Sequence, residues 1–223
     1  IRVKGEVGRI KATHNAHANG FDIELRLPSF DGLHSIIEKI KGVLDLHADP
    51  QLIKASLHGA GLPLALIDEG IRLPGTWDVF ESGCRAIVGQ QVSVKAAIGQ
   101  ASLLAKQLHS PIGTATCPGF AFPSPQQVAS SDVSFLRMPN ARKQALISFA
   151  SLFAQQPSGT TPEDDAIMAI KGVGQWTLDY IKMRGEKDPD VYLAGDLIVK
   201  KIRTRKFDIF LSLSDEKNYS IAF

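Results

Sequence analysis

The fold is decided by residues 161–180, which read TPEDDAIMAIKGVGQWTLDY. This stretch predicts two helices joined by a very short turn. The first is capped by Thr161, with Pro162 at its first helical position, and the second ends at Gly185. The turn itself is GVG, residues 172–174. Glycine has no β-carbon, so the backbone there can adopt a positive φ and approach a ligand within hydrogen-bond distance.

The second helix starts directly after this turn, so its unpaired N–H groups and positive dipole end are expected to point outward. Such an arrangement binds phosphate without a basic side chain. It could therefore hold DNA although the formal net charge of the 223 residues is only +2, which alone is weak support for nucleic-acid binding. From spacing alone, an ordinary helix–helix connection with a glycine at its end explains the pattern equally well.

Asp196 lies further along, directly before an apolar helical run that starts at Leu197. Its local role is predicted to be that of an N-cap, whose side chain accepts hydrogen bonds from the first turn. This role is compatible with catalysis, because a helix N-terminus favours the ionised form of a carboxylate. A group that stabilises positive charge on a sugar, or polarises a water, must stay ionised at neutral pH.

The first 57 residues differ from the rest of the chain. Residues 21–27 alternate apolar and polar side chains, the period of a half-buried strand, and the Asn-Gly pair at 19–20 favours a hairpin. Helices are expected over 35–46 and after the Asp-Pro pair at 49–50. This region predicts a small antiparallel sheet with helices packed on one face.

From residue 76 onward the patterns are almost entirely helical. The predicted segments are 77–88, 92–98, 125–136 and 140–154, with a Pro/Gly-rich loop over 111–125. We therefore predict an α+β protein with two domains. Residues 1–75 would form an N-terminal antiparallel sheet domain with its linker, and residues 76–223 an all-α domain.

Two short motifs together point to a family. IKGVG at 170–174 and LAGD at 193–196 resemble the helix–hairpin–helix and the catalytic loop of base-excision DNA glycosylases. Within that superfamily the chain is similar to the bacterial 3-methyladenine DNA glycosylase II type. Further matching stretches are 70–75, 85–93, 122–125 and 172–201. The resemblance implies a TATA-binding-protein-like sheet domain before the helical glycosylase domain.

The resemblance also implies roles for individual residues. Asp196 would be the catalytic carboxylate, and Trp176 and Tyr180 would line the pocket for a flipped base. The DNA backbone would be held by Gly172, Val173, Gly174, Gln175 and Thr177. Gln91 would be the wedge that fills the gap left by the flipped nucleotide, where some relatives use Leu. Backbone carbonyls of Met168, Ile170 and Val173 would be candidate ligands for a monovalent cation.

These roles predict a monofunctional DNA glycosylase that flips and excises alkylated purines from double-stranded DNA. Simple core packing is the alternative role for the aromatic pair. Bifunctional relatives place a lysine nucleophile where this chain has Trp176, so no lyase activity is expected. The two cysteines, Cys84 and Cys117, are too few for an iron–sulfur cluster, and Cys84 is expected to be a buried free thiol. No cofactor beyond the possible cation is expected, and we expect a monomeric, cytoplasmic bacterial protein without a membrane segment.

The C-terminal residues depart from the family. After Lys201 the relatives carry an aromatic-rich segment that helps wall the pocket, whereas residues 200–206 here are a basic run, KKIRTRK. A basic run of this kind can contact phosphates, although it is more often a solvated face. A DNA-binding helix–hairpin–helix module with weak or no turnover is therefore the alternative function. A helical protein-interaction domain that does not bind DNA is a third interpretation.

Overall fold

The computed structural model describes residues 2–3, 6–27, 29–108, 111–112, 119–157 and 159–206. The strands are β1 (Arg2–Val3), β2 (Glu6–Val7), β3 (Arg9–Asn15), β4 (Gly20–Arg26), β5 (Pro111–Ile112) and β6 (Gly119–Phe120). The α-helices are α1 (Leu33–Val43), α2 (Pro50–Gly59), α3 (Val79–Gly89), α4 (Val94–Gln107), α5 (Pro125–Ala129), α6 (Asn140–Ala154), α7 (Asp164–Met168), α8 (Gln175–Ile181) and α9 (Leu197–Lys206). A 3₁₀ turn covers Leu64–Leu66, and a π-helical segment, Lys182–Glu186, continues α8. The predicted α+β class is confirmed.

The N-terminal strands pair in two antiparallel ribbons, β1 with β2 and β3 with β4. In the second ribbon Asn15 faces Gly20 at the turn and Arg9 faces Arg26 at the open end. Asn19 adopts φ 47° just before Gly20, as the Asn-Gly turn signal predicts. The predicted hairpin is confirmed.

Helices α1 and α2 follow the ribbons. The second begins as predicted, because the Asp49 carboxylate accepts hydrogen bonds from the N–H groups of Gln51 (2.9 Å) and Leu52 (3.2 Å), with Pro50 in the first turn. The domain division at residues 75 and 76 stays a prediction.

Residues 72–76 connect this part to the helices that follow. The Arg72 guanidinium donates to the carbonyl of Asp45 at 2.8 Å, and the N–H of Thr76 donates to the carbonyl of Arg184 at 2.8 Å. The connection is therefore bonded to the N-terminal part at one end and to the π-helical segment at the other.

Helix α3 is the centre of the helical part. Asp78 caps it with a hydrogen bond from the N–H of Glu81. The helix packs against α4, α6, α8 and the π-helical segment. Gly83 lets the ring of Phe149 lie against the helix backbone, since a β-carbon at residue 83 would fall 2.0 Å from Phe149 Cζ. The fully buried members of this core include Cys84, Ile87, Leu104, Leu146, Phe149 and Ile181.

Several predicted boundaries were wrong. The helix predicted over 35–46 ends at Val43, and the helix predicted over 92–98 extends to Gln107. The helix predicted over 125–136 ends at Ala129. After it, side chains replace helical carbonyls as the acceptors of backbone N–H groups. Ser131 Oγ accepts from the N–H of Val133, and Val133 has φ 43°. Helix α7 begins at Asp164 with Glu163 at the N-cap, so Thr161 does not cap it; Pro162 is buried ahead of the helix.

Another boundary that differs is the end of the helix after the turn. It continues past Gly185 to Glu186, and Lys187 follows with φ 63°. Gly185 instead allows close packing, because a β-carbon there would lie 2.9 Å from Ser82 Cβ. The Pro/Gly-rich loop also contains the short ribbon β5–β6. Within the described ranges, no helix has the length and apolar character needed to cross a membrane.

Candidate active site

The turn between α7 and α8 is a hairpin whose central residue packs into the core. Gly172 has φ 93°, a conformation that favours glycine, and Val173 is buried in the core cluster. The N–H of Val173 donates to the carbonyl of Ile170 at 2.9 Å, which closes the turn. Gly174 has φ −128°, so only the first glycine uses the left-handed region.

Helix α8 starts with its free donors at the surface. The carbonyl of Gly174 accepts from the N–H groups of Thr177 (2.9 Å) and Leu178 (3.2 Å). Among the described residues, no acceptor faces the N–H groups of Gly174, Gln175 and Trp176. Gly174 and Gln175 are exposed and Trp176 is half-buried; that these donors bind phosphate stays a prediction.

Thr177 occupies a different position from the other hairpin residues. It is 2% exposed, and its hydroxyl accepts a hydrogen bond from the side-chain amide of Gln90 at 3.0 Å. The same amide donates to the carbonyl of Gly172 at 2.9 Å. Thr177 therefore lies behind the hairpin, facing the end of α3, rather than on its outer surface. Sequence reasoning did not single out Gln90.

Asp196 caps helix α9 as predicted. Its Oδ1 accepts from the N–H groups of Ile198 (2.8 Å) and Val199 (3.1 Å). The turn before it is closed by the Asp196 N–H, which donates to the carbonyl of Leu193 at 2.9 Å. The second carboxylate oxygen, Oδ2, accepts from the indole N–H of Trp176 at 3.2 Å. The carboxylate is half-buried, so it is reachable from outside.

Trp176 and Tyr180 form a pair one helical turn apart on α8. Their ring centroids are 5.6 Å apart and the planes are tilted by 35°. Both side chains are half-buried, so each keeps part of its surface exposed to solvent. Gly195 brings the loop before α9 against this pair, because a β-carbon there would lie 3.3 Å from Trp176 Cβ. The structure thus brings the carboxylate and both aromatic residues into one cluster.

Gln91, the predicted wedge, lies between α3 and α4. It is exposed and has φ 54°, uncommon for a residue with a β-carbon. Val92 beside it is 41% exposed. Both residues are thus exposed in the connection between the two helices, and the wedge role of Gln91 stays a prediction.

The candidate cation ligands belong to the end of α7 (Met168) and to the turn that follows it (Ile170 and Val173). The carbonyl of Ile170 already accepts the Val173 N–H, although a carbonyl oxygen has a second lone pair. Within the described part of the chain, no cluster of three His, Cys, Asp or Glu side chains could hold a metal ion. A site made of carbonyls is a separate matter, and it stays a prediction.

A cavity lies elsewhere in the molecule. It has a volume of about 520 Å³ and lies between β3, α1, α3 and residues 120–125; none of Trp176, Tyr180 and Asp196 lines it. Arg85 in its wall is paired with Glu81 at 2.7 Å and lies over the ring of Phe122. The candidate site is therefore identified by its carboxylate and aromatic geometry and not by this cavity.

The basic run at 200–206 is described only in part. Lys200 and Lys201 are exposed on α9. The side chains after Lys201, and all of residues 207–223, lie outside the described residues. The same is true of Cys117, whereas Cys84 is a buried free thiol, as predicted.

The chain is similar to known DNA glycosylases. Residues 1–78 match the family model of the AlkA N-terminal domain. The chain is 34% identical over 176 residues to DNA-3-methyladenine glycosylase 2 of Escherichia coli strain K12, which covers 74% of this chain and 60% of that protein. The chain thus spans less than two thirds of that relative's length.

Two solved structures share the fold. A 3-methyladenine DNA-glycosylase from Archaeoglobus fulgidus matches with a TM-score of 0.75 and 17% identity, covering 93% of this chain and 73% of that one. The 8-oxoguanine glycosylase/lyase of Clostridium acetobutylicum, in complex with double-stranded DNA, matches with a TM-score of 0.69 and 15% identity over 99% of this chain and 74% of that one.

Proposed function

We propose that the chain is a member of the helix–hairpin–helix DNA glycosylase superfamily and, from this premise, that it is a monofunctional glycosylase. It would excise alkylated purines, such as 3-methyladenine and 7-methylguanine, from double-stranded DNA. The observation that carries the proposal is the hydrogen bond between Trp176 and Asp196. It places a carboxylate beside an aromatic pair at the surface, next to a hairpin with free N–H donors.

The hairpin supplies the DNA clamp in this proposal. The N–H groups of Gly174, Gln175 and Trp176 would bind one phosphate at the positive end of α8. The side chain of Gln175 is engaged with Asp179 at 2.7 Å, so its contribution would come from the backbone. Carbonyls of Met168, Ile170 and Val173 would hold a monovalent cation if one takes part. No other cofactor is invoked, and one monomer would act on one lesion.

The aromatic pair supplies the base pocket. A glycosidic bond is inaccessible within a duplex, so the damaged nucleotide must be rotated out, with Gln91 filling the gap. N-alkylated purines carry a formal positive charge. Trp176 and Tyr180 would attract such a base through cation–π contact, worth ~1–2 kcal/mol when water is excluded.

Asp196 supplies the negative charge that the reaction needs. A charged base is already a good leaving group, so stabilising the oxocarbenium-like sugar electrostatically lowers the barrier. The cap through Oδ1 and the indole through Oδ2 hold this carboxylate in one orientation. Preorganised charge of this kind does not have to reorient during the reaction.

A lyase step needs an amine nucleophile that is free of its proton, and neither Lys182 nor Lys187 is suited to supply one. Lys182 forms an ion pair with Asp164, and the hydrogen bond with Asp164 raises the pKa of Lys182, which favours the unreactive ammonium form. Burial, followed by the charge of Lys39, lowers the pKa of Lys187, but that side chain lies against Gly42 and Gly75. This supports glycosylase activity without strand cleavage.

The test is chromatography of the bases released from methylated duplex DNA. The unmutated protein should release 3-methyladenine and 7-methylguanine and leave strands that break only after alkali. Asp196→Asn should lower release by at least about 100-fold and still bind DNA, since Asn remains a good N-cap. Asp190→Asn, at an exposed position, is the matched control. Salt-dependent binding without base release would support the DNA-binding module instead, and strand breaks before alkali would refute monofunctionality.

A further inference from the structure

The side-chain amide of Gln90 joins two surfaces that are remote in sequence. Gln90 is the C-cap residue of α3 and directly precedes the wedge, Gln91. Its Nε2 donates to the carbonyl of Gly172 at 2.9 Å and to the hydroxyl of Thr177 at 3.0 Å. One amide group therefore contacts both the turn of the hairpin and the first turn of α8.

Both ends of this contact are held in place. On the hairpin side, Thr177 is 2% exposed and Val173 is buried in the core. On the wedge side, Gln91 has φ 54°, and Ser93 caps α4 with a hydrogen bond from Ala96. Because both segments are held in place, a side chain that bonds one to the other fixes the distance between them.

The chemistry of the contact requires an amide. The carbonyl of Gly172 can only accept, so the nitrogen of Gln90 must face the hairpin, and both its N–H groups are used there. Glutamate has the same length but would place an oxygen against the Gly172 carbonyl. Methionine has a similar length and no donor. Methionine therefore removes both hydrogen bonds without removing the volume, whereas glutamate loses only the bond to Gly172, since the Thr177 hydroxyl can donate to a carboxylate.

We propose that Gln90 is a positioning residue that sets the distance between the wedge at Gln91 and the phosphate clamp at residues 172–174. This rests on the proposed function, because both surfaces act only when DNA is bound. A phosphate held by the clamp fixes one strand, and the wedge must meet the gap that the flipped nucleotide leaves. With Gln90 in place, the clamp binds the phosphate and Gln91 fills the gap in the same conformation of the protein.

The experiment compares the affinity for duplex DNA with an abasic site, where the gap already exists, with the affinity for intact duplex. Thr177→Val removes one acceptor while keeping the shape of the side chain, and Thr177→Ser keeps the hydroxyl. Gln90→Met removes both hydrogen bonds. Gln126→Met, on the exposed face of α5, is the matched control.

We expect Gln90→Met to reduce the preference for abasic over intact DNA about tenfold, the combined effect of two neutral hydrogen bonds. Thr177→Val should show a smaller loss, Thr177→Ser close to none, and Gln126→Met none. Hydrogen exchange at residues 171–174 of the free protein should accelerate in Gln90→Met. The Thr177→Val and Thr177→Ser pair keeps the test informative where Gln90→Met fails to fold.

An unchanged preference in Gln90→Met, in a protein whose unmutated form binds DNA, overturns the coupling and leaves the proposed function standing. Faster exchange with an unchanged preference also overturns it, because it shows a purely structural role. If the unmutated protein binds neither duplex, the proposed function fails and the coupling fails with it.

Discussion

The indole N–H of Trp176 donates to Oδ2 of Asp196 at 3.2 Å, while Oδ1 of the same carboxylate caps helix α9. One oxygen of Asp196 thus serves the fold and the other faces the aromatic pair. Trp176 in turn belongs to the first turn of α8. The hairpin, the aromatic pair and the carboxylate are therefore linked through a single side chain.

Trp176→Phe separates the two proposed roles of Trp176, since it keeps an aromatic ring and removes the N–H donor. We expect base release to fall about tenfold, because a hydrogen bond to a charged group is worth about 1.5–3 kcal/mol and this one is half-exposed. DNA affinity should stay close to that of the unmutated protein. The measurement is single-turnover excision on methylated duplex. A rate equal to or above that of the unmutated protein would show that the bond does not orient Asp196 productively.

The two hairpin glycines should respond differently to substitution. Gly172 has φ 93°, so Gly172→Ala should cost about 1–2 kcal/mol of folding stability. Gly174 has φ −128°, and no described atom lies within 4 Å of the position that a β-carbon would take there. Gly174→Ser should therefore keep the stability, as serine is a good N-cap.

Gly174→Ser should nevertheless lower DNA affinity about tenfold, because its hydroxyl would bond the N–H groups that the phosphate needs. Denaturant unfolding and a binding titration at fixed salt measure the two effects. If Gly172→Ala and Gly174→Ser lowered the free energy of unfolding equally, the positive φ of Gly172 would not be what the hairpin specifically requires. Unchanged affinity in Gly174→Ser would place the phosphate elsewhere.

Local patterns predicted the parts of the site that depend on neighbours in sequence. The cap at Asp196, the positive φ at Gly172 and the hairpin before Gly20 each follow from a residue and the few beside it. The bond of Gln90 to the hairpin joins residues 82 and 87 positions apart, and no periodicity indicates it. The contact between Trp176 and Asp196 has the same origin, since the packing of Gly195 against Trp176 brings the two elements together.

The wrong boundaries have a local cause that the pattern did not reveal. At 125–136 the apolar spacing continued, but serine and aspartate side chains took over the backbone donors. At Thr161 the cap signal was present, yet Pro162 was buried ahead of the helix. In the first case local side-chain hydrogen bonds ended the helix, and in the second the burial of Pro162 accompanies the later start of the helix at Asp164.

Gly83 is where the core allows no β-carbon. Gly83→Ala would place one 2.0 Å from Phe149 Cζ, and Phe149 is fully buried and stacked against Phe80 at 5.9 Å. The ring has no free space to enter, so we expect a loss of about 2–3 kcal/mol or more. Gly99→Ala is the matched control in α4, where no described atom lies within 4 Å of the added carbon; it should stabilise by about 0.5–1 kcal/mol. Urea unfolding of both variants checks the pair, and similar values would mean that Phe149 can move aside.

Cys84 should be unreactive in the folded protein. Burial is the main cause that raises the pKa of its thiol well above the usual range, and the nearby charge of Asp78 adds to it. A raised pKa disfavours the thiolate, which is the reactive form, so alkylation at pH 8 should proceed only as the protein unfolds. The measurement uses Cys117→Ser, which leaves one thiol, and follows the labelled mass against urea concentration. Because Cys84 packs in the centre of α3 beside the core that holds α8, labelling should begin at the urea concentration at which helical structure is lost. Rapid labelling without denaturant, at the rate of an exposed cysteine, would show that α3 opens in the native state and that the clamp rests on a mobile helix.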